Sequence, residues 1–415
     1  MKRIAVIGAG ISGLSAAYFL SRRYEVVLFE RDGRLGGHTH TIRVQGDRGP
    51  IALDTGFLVH NRKTYPLLVR LFEELGVETR ASDMSFSVSC PKTGFEYGSR
   101  GLSGVFAQPR SLLDSAQYRL LADIVRFNHE ALDVFTPAQW NWTLDTFVRE
   151  RGYSDAFVSR YLVPMTSAIW SASAATIRAF PMATLVRFMD NHGMLSLRSP
   201  VPWRVVAKGS DSYIAPLTRP LGDRIHLGAS LGAVTREATA VILTTTDGIQ
   251  HRFDEVVLAC HGDQVLPLLT DASGLERDVF AAFKTTPNDA ILHTDATMLP
   301  VNPRARASWN YQLGSEDDQP PTVTYHLNRL QGLSEPREYC VTLNPHRPIP
   351  QSAVIARMVY HHPQLTAAAE GAQALWRAVS GVNRTHYCGA YWKYGFHEDG
   401  LMSAVRVADD LGVTW

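Results

Sequence analysis

The chain has 415 residues, 45% of them hydrophobic and 20% charged, which excludes disordered and fibrous classes and predicts more than one domain. Lys and Arg number 41 against 40 Asp and Glu, so the net charge of +1 carries no footprint for nucleic acid or for a strongly anionic surface. The four cysteines (Cys90, Cys260, Cys340, Cys388) stand far apart, which argues against a disulfide framework, a zinc finger or an iron–sulfur cluster and fits a reducing cytoplasm.

The start, Met1-Lys2-Arg3 and then an apolar run, imitates a secretory signal. Glycines interrupt that run and a periodic, charged segment follows Leu20, so it is expected to be part of the fold. No apolar run reaches the ~18 residues of a membrane span. Residues 4–7 predict a short strand. Gly8-Ala9-Gly10-Ile11-Ser12-Gly13 then opens a helical pattern through Leu14, Ala17, Tyr18 and Leu20, and a second strand, 26–29, ends at Glu30. Strand, glycine turn, helix, strand and acid make a dinucleotide-binding unit. Gly8 permits the tight turn, Gly10 lets backbone approach a pyrophosphate, and Gly13 lets the helix pack on the strand. The helix N-terminus turns free amides and partial positive charge toward the phosphates. Glu30 is placed to accept hydrogen bonds from both ribose hydroxyls, which disfavours a 2′-phosphate and therefore NADP.

Arg34-Leu35-Gly36-Gly37 follows closely, and Asp54-Thr55-Gly56-Phe57 comes after a hairpin-like stretch. Here the chain resembles the glutathione-reductase-like FAD-binding superfamily, in the branch of flavin amine oxidases, phytoene desaturases and protoporphyrinogen oxidases. The resemblance implies FAD, with Arg34, Gly36, Gly37, Gly56 and Phe57 against its pyrophosphate, ribityl chain and ring. The adjoining Ile11, Ser12, Arg31, His38 and Thr39 complete the expected contacts. The segment Cys388 to Met402, running into an amphipathic helix, is similar to the superfamily's C-terminal FAD motif. That implies contacts from Gly400, Leu401 and Met402 at a helix start under the flavin. Ala390 stands where many relatives carry an acid, and Glu398-Asp399-Gly400 is one residue longer than usual, so Glu398 or Asp399 is expected to compensate. Residues 225–241 and 256–259 alternate like strands closing the nucleotide domain; Leu231 sits where relatives meet adenine, and Cys260-His261-Gly262 ends the last strand near the dinucleotide.

The expected fold class is α/β: a Rossmann-type ββα FAD-binding domain (1–80, 205–285, 370–415) interleaved with an α+β substrate domain (81–204, 286–369). The first insertion reads as helical, with a helix over 111–135 and an apolar stretch over 168–188 that Pro164 and Pro181 break. The second reads as strands at 290–293, 322–327 and 339–343, with an acidic loop at 315–321.

Several segments, among them Pro164 to Trp170, Asn191-His192-Gly193 and Ser308-Trp309-Asn310-Tyr311, resemble one subgroup more closely. Its genes often sit beside those for cyclopropane-fatty-acyl synthases, and it includes desaturases of methyl-branched fatty acyl chains that lead to furan fatty acids. That resemblance implies dehydrogenation of a methylated acyl chain, with hydride passing to flavin N5. Amine oxidases carry a lysine near N5 and an aromatic pair; residues 288–293 contain no lysine, and Lys393 occupies one of the two aromatic positions, which counts against amine oxidation.

Met165, Ile169, Trp170, Phe180, Phe188, Met194 and Leu195 could line an acyl channel, and His60, Asn61, Tyr391, Lys393 and His397 are the candidate catalytic groups. His38-Thr39-His40 and His361-His362 lack a carboxylate or Cys at ligand spacing, so no metal is expected. The alternatives are a redox-neutral fatty acid isomerase or hydratase using FAD, a flavin amine oxidase, and a non-catalytic flavoprotein partner of a lipid methyltransferase. The expected location is cytoplasmic, with peripheral contact at the inner face of the membrane if the substrate is a phospholipid-bound chain.

Overall fold

In a computed structural model, residues 1–195, 201–314 and 318–415 are described. Ser315, Glu316 and Asp317, part of the expected acidic loop, lie outside the described residues. The fold is mixed α/β. Strand Arg3–Ile7, apolar after its first residue, occupies the middle of a five-stranded parallel sheet. Its neighbours are Glu25–Phe29 on one side and Glu255–Leu258 on the other; Ile225–His226 and Thr385–Tyr387 form the edges. Four of the five residues in each of the first two strands are buried, as a parallel sheet covered on both faces requires. Helix Ile11–Leu20 and the closing helix His397–Asp410 cover it together. An antiparallel three-stranded sheet (Leu231–Arg236, Val241–Thr245, Gln250–Phe253) stands beside it.

A seven-stranded sheet forms the second half, in the order Val354–Pro363, Thr285–His293, Cys340–Leu343, Thr322–His326, Trp309–Gln312, Phe86–Cys90, Phe95–Gly98. Its pairs are antiparallel except Trp309–Gln312 with Phe86–Cys90. Two hydrophobic cores result. One gathers Ile4, Phe29, Leu217, Val257, Phe280, Tyr387 and Leu401; the other gathers Phe86, Phe127, Phe157, Leu185, Leu292 and Val341.

Two expectations about helices change. Residues 111–135 form helix Ser115–Glu130, capped by the Asp114 carboxylate on Ala116 N, with a 3₁₀ turn at either end. Pro164 breaks nothing. Helix Asp155–Phe157 passes through a π-helical turn, Val158–Leu162, straight into Val163–Trp170. Proline cannot donate to the carbonyl four residues earlier, that of Arg160, and here the Tyr97 hydroxyl donates to it at 2.8 Å. The wider turn makes room for the ring, and Thr166 Oγ1 donates to the Leu162 carbonyl at 2.7 Å.

Candidate active site

The carboxyl ends of the parallel strands open on a cavity of about 790 Å³ whose wall draws on both cores. At one end is the glycine turn. Gly8 has φ +102°, and a Cβ there would meet the Ala259 carbonyl oxygen at 2.9 Å. A Cβ on Gly13 would stand 1.8 Å from the Gly8 oxygen, so the helix reaches the strand only without a side chain. Gly10, by contrast, faces open space: nothing lies within 4 Å of its Cβ position. Glu30 holds the turn from the next strand, accepting from Ala9 N at 2.6 Å and from Asp32 N at 2.9 Å.

The Arg34 turn closes over the same place. Gly36 N donates to the Ala9 oxygen at 2.8 Å. Arg34 does not line the cavity; its guanidinium donates to the carbonyls of Leu35 and Thr39 at 3.3 Å and of Gly37 at 2.7 Å, bracing the turn from behind. The Asp54–Phe57 segment lies against it, with Phe57 N on the His38 oxygen at 2.8 Å and no room at Gly56 for a Cβ, which would meet that oxygen at 2.1 Å.

Of the expected cofactor contacts, Gly8, Gly10, Ile11, Ser12, Glu30, Arg31, Gly36, Gly37, His38, Gly56, Phe57, Leu231 and Cys260 line this cavity. Gly13, Thr39, Gly400 and Leu401 act behind it. The closing helix starts at His397, three residues before the Gly400 expected, because the Asp399 carboxylate reaches back to Phe396 N at 3.0 Å. Gly400 instead lets that helix press on the first one; a Cβ would meet Ser12 Oγ at 2.7 Å. Glu398 turns away and accepts from Leu67 N and Leu68 N at 2.9 Å each. With Met402 it borders a smaller adjoining cleft.

Among the catalytic candidates, Tyr391 and His397 line the cavity. The Tyr391 hydroxyl is buried without a hydrogen-bond partner, and desolvation holds its pKa well above the usual range. His397 stacks on Phe57 (ring centroids 3.8 Å apart), and its Nε2 is 2.9 Å from Thr39 Oγ1, itself bonded to the Tyr213 hydroxyl. Burial pushes its pKa down to about 3, so the ring is neutral. Lys393 borders the smaller cleft, 3.9 Å from Asp399. His60 and Asn61 form a two-residue strand paired with Arg204 and Trp203, and neither lines the cavity. Asn61 ties down its own loop through Lys63 N, Thr64 N and Thr64 Oγ1.

The other arm of the cavity is apolar. Met165, Ile169, Trp170, Phe188 and Met194 are there as expected; Phe180 is not, packing behind Trp170 with centroids 4.9 Å apart, and Leu195 is also absent from the wall. Met84, Phe86, Trp203, Trp309 and Tyr325 line it too and were not singled out as pocket residues from sequence. The charged residues of the wall are Glu30, Arg31, Asp32, Asp263 and Lys284, from the glycine-turn strands and the Gly262–Leu268 region. Strand Thr285–His293 carries no lysine; Lys284 precedes it, exposed, and the neighbouring Thr285 hydroxyl donates to Asp263 at 2.5 Å.

His192 was noted in sequence only as part of a motif. It lines the arm, stacks on Phe188 at 3.9 Å, and places Nδ1 2.9 Å from the Phe188 carbonyl. A carbonyl only accepts, so Nδ1 carries the proton and Nε2 keeps its lone pair. Burial lowers its pKa to about 4, which keeps it a free base near neutrality.

The open face at Gly10, the amides of the first helix turn and the buried, unpartnered His38 Nε2 fit an elongated anionic dinucleotide. Residues 11–296 match the family of flavin containing amine oxidoreductases. Solved structures with the same fold include putrescine oxidase (13% identity, TM-score 0.70, covering 99% of this chain and 98% of that one). A CLA-producing fatty acid isomerase from P. acnes also shares it (16%, 0.67, 97% of each). Curated relatives match over short segments: protoporphyrinogen oxidase 2 of Arabidopsis thaliana is 54% identical over 46 residues, 11% of this chain and 9% of that one. L-amino acid oxidase of Cerastes cerastes is 51% identical over 43 residues, 10% and 8%. The glycine turn, its acid and the match over residues 11–296 together make the conclusion plain: the chain belongs to the flavin containing amine oxidoreductase family, whose cofactor is FAD.

Proposed function

We propose that this flavoenzyme dehydrogenates a lipid-like substrate, a methylated fatty acyl chain, introducing a double bond. The observation that carries the reading is the cavity arm formed by Met165, Ile169, Trp170, Phe188, Trp309 and Tyr325, with no lysine on strand Thr285–His293 and, among the described residues, no carboxylate in the cavity wall besides Glu30, Asp32 and Asp263. An amine cation entering that arm would lose its hydration with nothing to replace it. An acyl chain gains by the same transfer, at about 25 cal/mol per Å² of apolar surface buried. The bound flavin supplies the hydride acceptor. The chain's own residues do the rest. The aromatic wall excludes water and positions the chain, and His192 Nε2 accepts the proton that leaves with the hydride. His397, neutral and fixed by Thr39, supports the cofactor from the start of the closing helix.

The subgroup resemblance supports the methylated chain and a functional link to a fatty acyl methyltransferase. No helix among the described residues is long and apolar enough to cross a membrane. Incubating purified yellow protein with lipid extract, and following new double bonds by mass spectrometry, tests the reading; methyl-branched chains unchanged by a flavin-loaded enzyme would end it. A redox-neutral isomerase is the second reading, favoured by the fold shared with a fatty acid isomerase. It predicts a shifted double bond with no oxygen consumed.

A further inference from the structure

Four histidines, His38, His261, His361 and His362, gather near the glycine turn. Two flank the turn directly. A Cβ built on Gly37, next to His38, would stand 3.1 Å from the Gly10 Cα, and Cys260 N, next to His261, lies 3.1 Å from the Gly8 Cβ position. The His38 and His261 rings are 5.8 Å apart; His362 lies 5.5 Å from His38, and His361 lies 6.3 Å from His261. His38, His261 and His362 line the cavity, and His38 Nε2 is buried with no hydrogen-bond partner.

Fixed charge is differently employed there. Arg34 gives its guanidinium to backbone carbonyls. Arg31 is exposed and 3.7 Å from Asp32, and Lys284 is exposed. Glu30 accepts from amides, Asp263 Oδ2 accepts from Thr285, and Tyr360 presents its ring face to His38 at 5.2 Å. Among the described residues, no group of three or more His, Cys, Asp or Glu is placed to hold a metal ion.

We propose that His38, with His261 and His362 beside it, binds the pyrophosphate of the dinucleotide and takes up a proton from solvent as the dinucleotide enters. The inference rests on FAD being the ligand. Without an anion, burial comes first and repulsion between neighbouring rings second in keeping His38 uncharged, and burial likewise lowers His261 and His362, the last to about 4. A doubly negative pyrophosphate reverses the balance, because an adjacent opposite charge favours the protonated ring. Arginine would supply that charge at every pH; histidine supplies it only together with a proton.

The test is calorimetric titration of FAD into the full-length deflavinated chain near pH 7.5, in phosphate and in Tris, whose protonation enthalpies differ. Uptake of about one proton is expected, with affinity falling about tenfold per pH unit through the alkaline range. H38R should bind FAD with no uptake and a flat pH dependence. FAD binding with equal heats in both buffers would overturn the inference and leave the FAD reading intact. Uptake persisting in H38R would overturn the assignment to His38. A folded chain that binds no FAD would overturn both.

Discussion

The two ends of the cavity are built by opposite means. The glycine-turn end is backbone: Gly8, Gly13, Gly36 and Gly56 sit where a Cβ would strike a carbonyl, and Glu30 bonds amides rather than side chains. The far arm is side chain throughout, with Phe86, Met165, Trp170, Phe188 and Trp309 brought together from three separate stretches of sequence. Backbone sites tolerate almost no substitution and bind what the whole family binds. Side-chain walls change one residue at a time, and so set the substrate.

Gly13→Ala should break the first end outright. The new methyl cannot coexist with an oxygen 1.8 Å away, so helix and turn must separate and the purified chain should be colourless. Absorbance, with circular dichroism as the folding control, checks this; a folded yellow variant would contradict it. His192→Gln removes a base from the far arm and leaves FAD binding alone. It should lower kcat by roughly 10²–10⁴-fold with flavin content unchanged. Met165→Glu puts an unpaired charge into the apolar wall and should raise KM for an acyl substrate roughly tenfold to a hundredfold.

Acid should weaken the molecule as a whole. His60, His192 and His293 have pKa values lowered to about 4, and His397 to about 3, all by burial, from an ordinary 6.5. Their folded-state values are depressed, so the unfolded chain binds more protons between about pH 6.5 and 4, and stability falls as pH drops through that window. Asp54 and Asp399, raised to about 6 by burial, act the other way, losing stability as pH rises from about 3.8 to 6. With His362, also lowered to about 4, five histidines outweigh two carboxyls, so Tm should drop between pH 7 and 5; a Tm that rises would show that the histidines are not buried as described. The smallest effect is expected from Lys393→Met, which removes a long, 3.9 Å contact between a half-exposed lysine and the buried Asp399 and should leave turnover unchanged.

The first end was legible in sequence because its determinants are local: strand, turn, helix and acid lie within thirty residues, and glycine spacing reports backbone geometry directly. The far arm was legible only in part. Met165, Ile169 and Trp170 stand on one helix, but Trp203, Trp309 and Tyr325 reach the wall through strand pairings that no local pattern encodes. His60 and Asn61 follow the Phe57 turn yet face elsewhere, since a short pairing with Trp203–Val206 fixes their direction. Pro164 misled because the Tyr97 hydroxyl that serves the freed carbonyl is remote in sequence. The closing helix begins early because the Asp399 side chain, one residue beyond the usual motif, captures Phe396 N.

Anaerobic mixing with candidate reductants tests the central claim most directly. The apolar arm predicts that a methyl-branched fatty acyl lipid bleaches the flavin and that putrescine or another small amine does not. Bleaching by the amine, with the lipid inert, would contradict it.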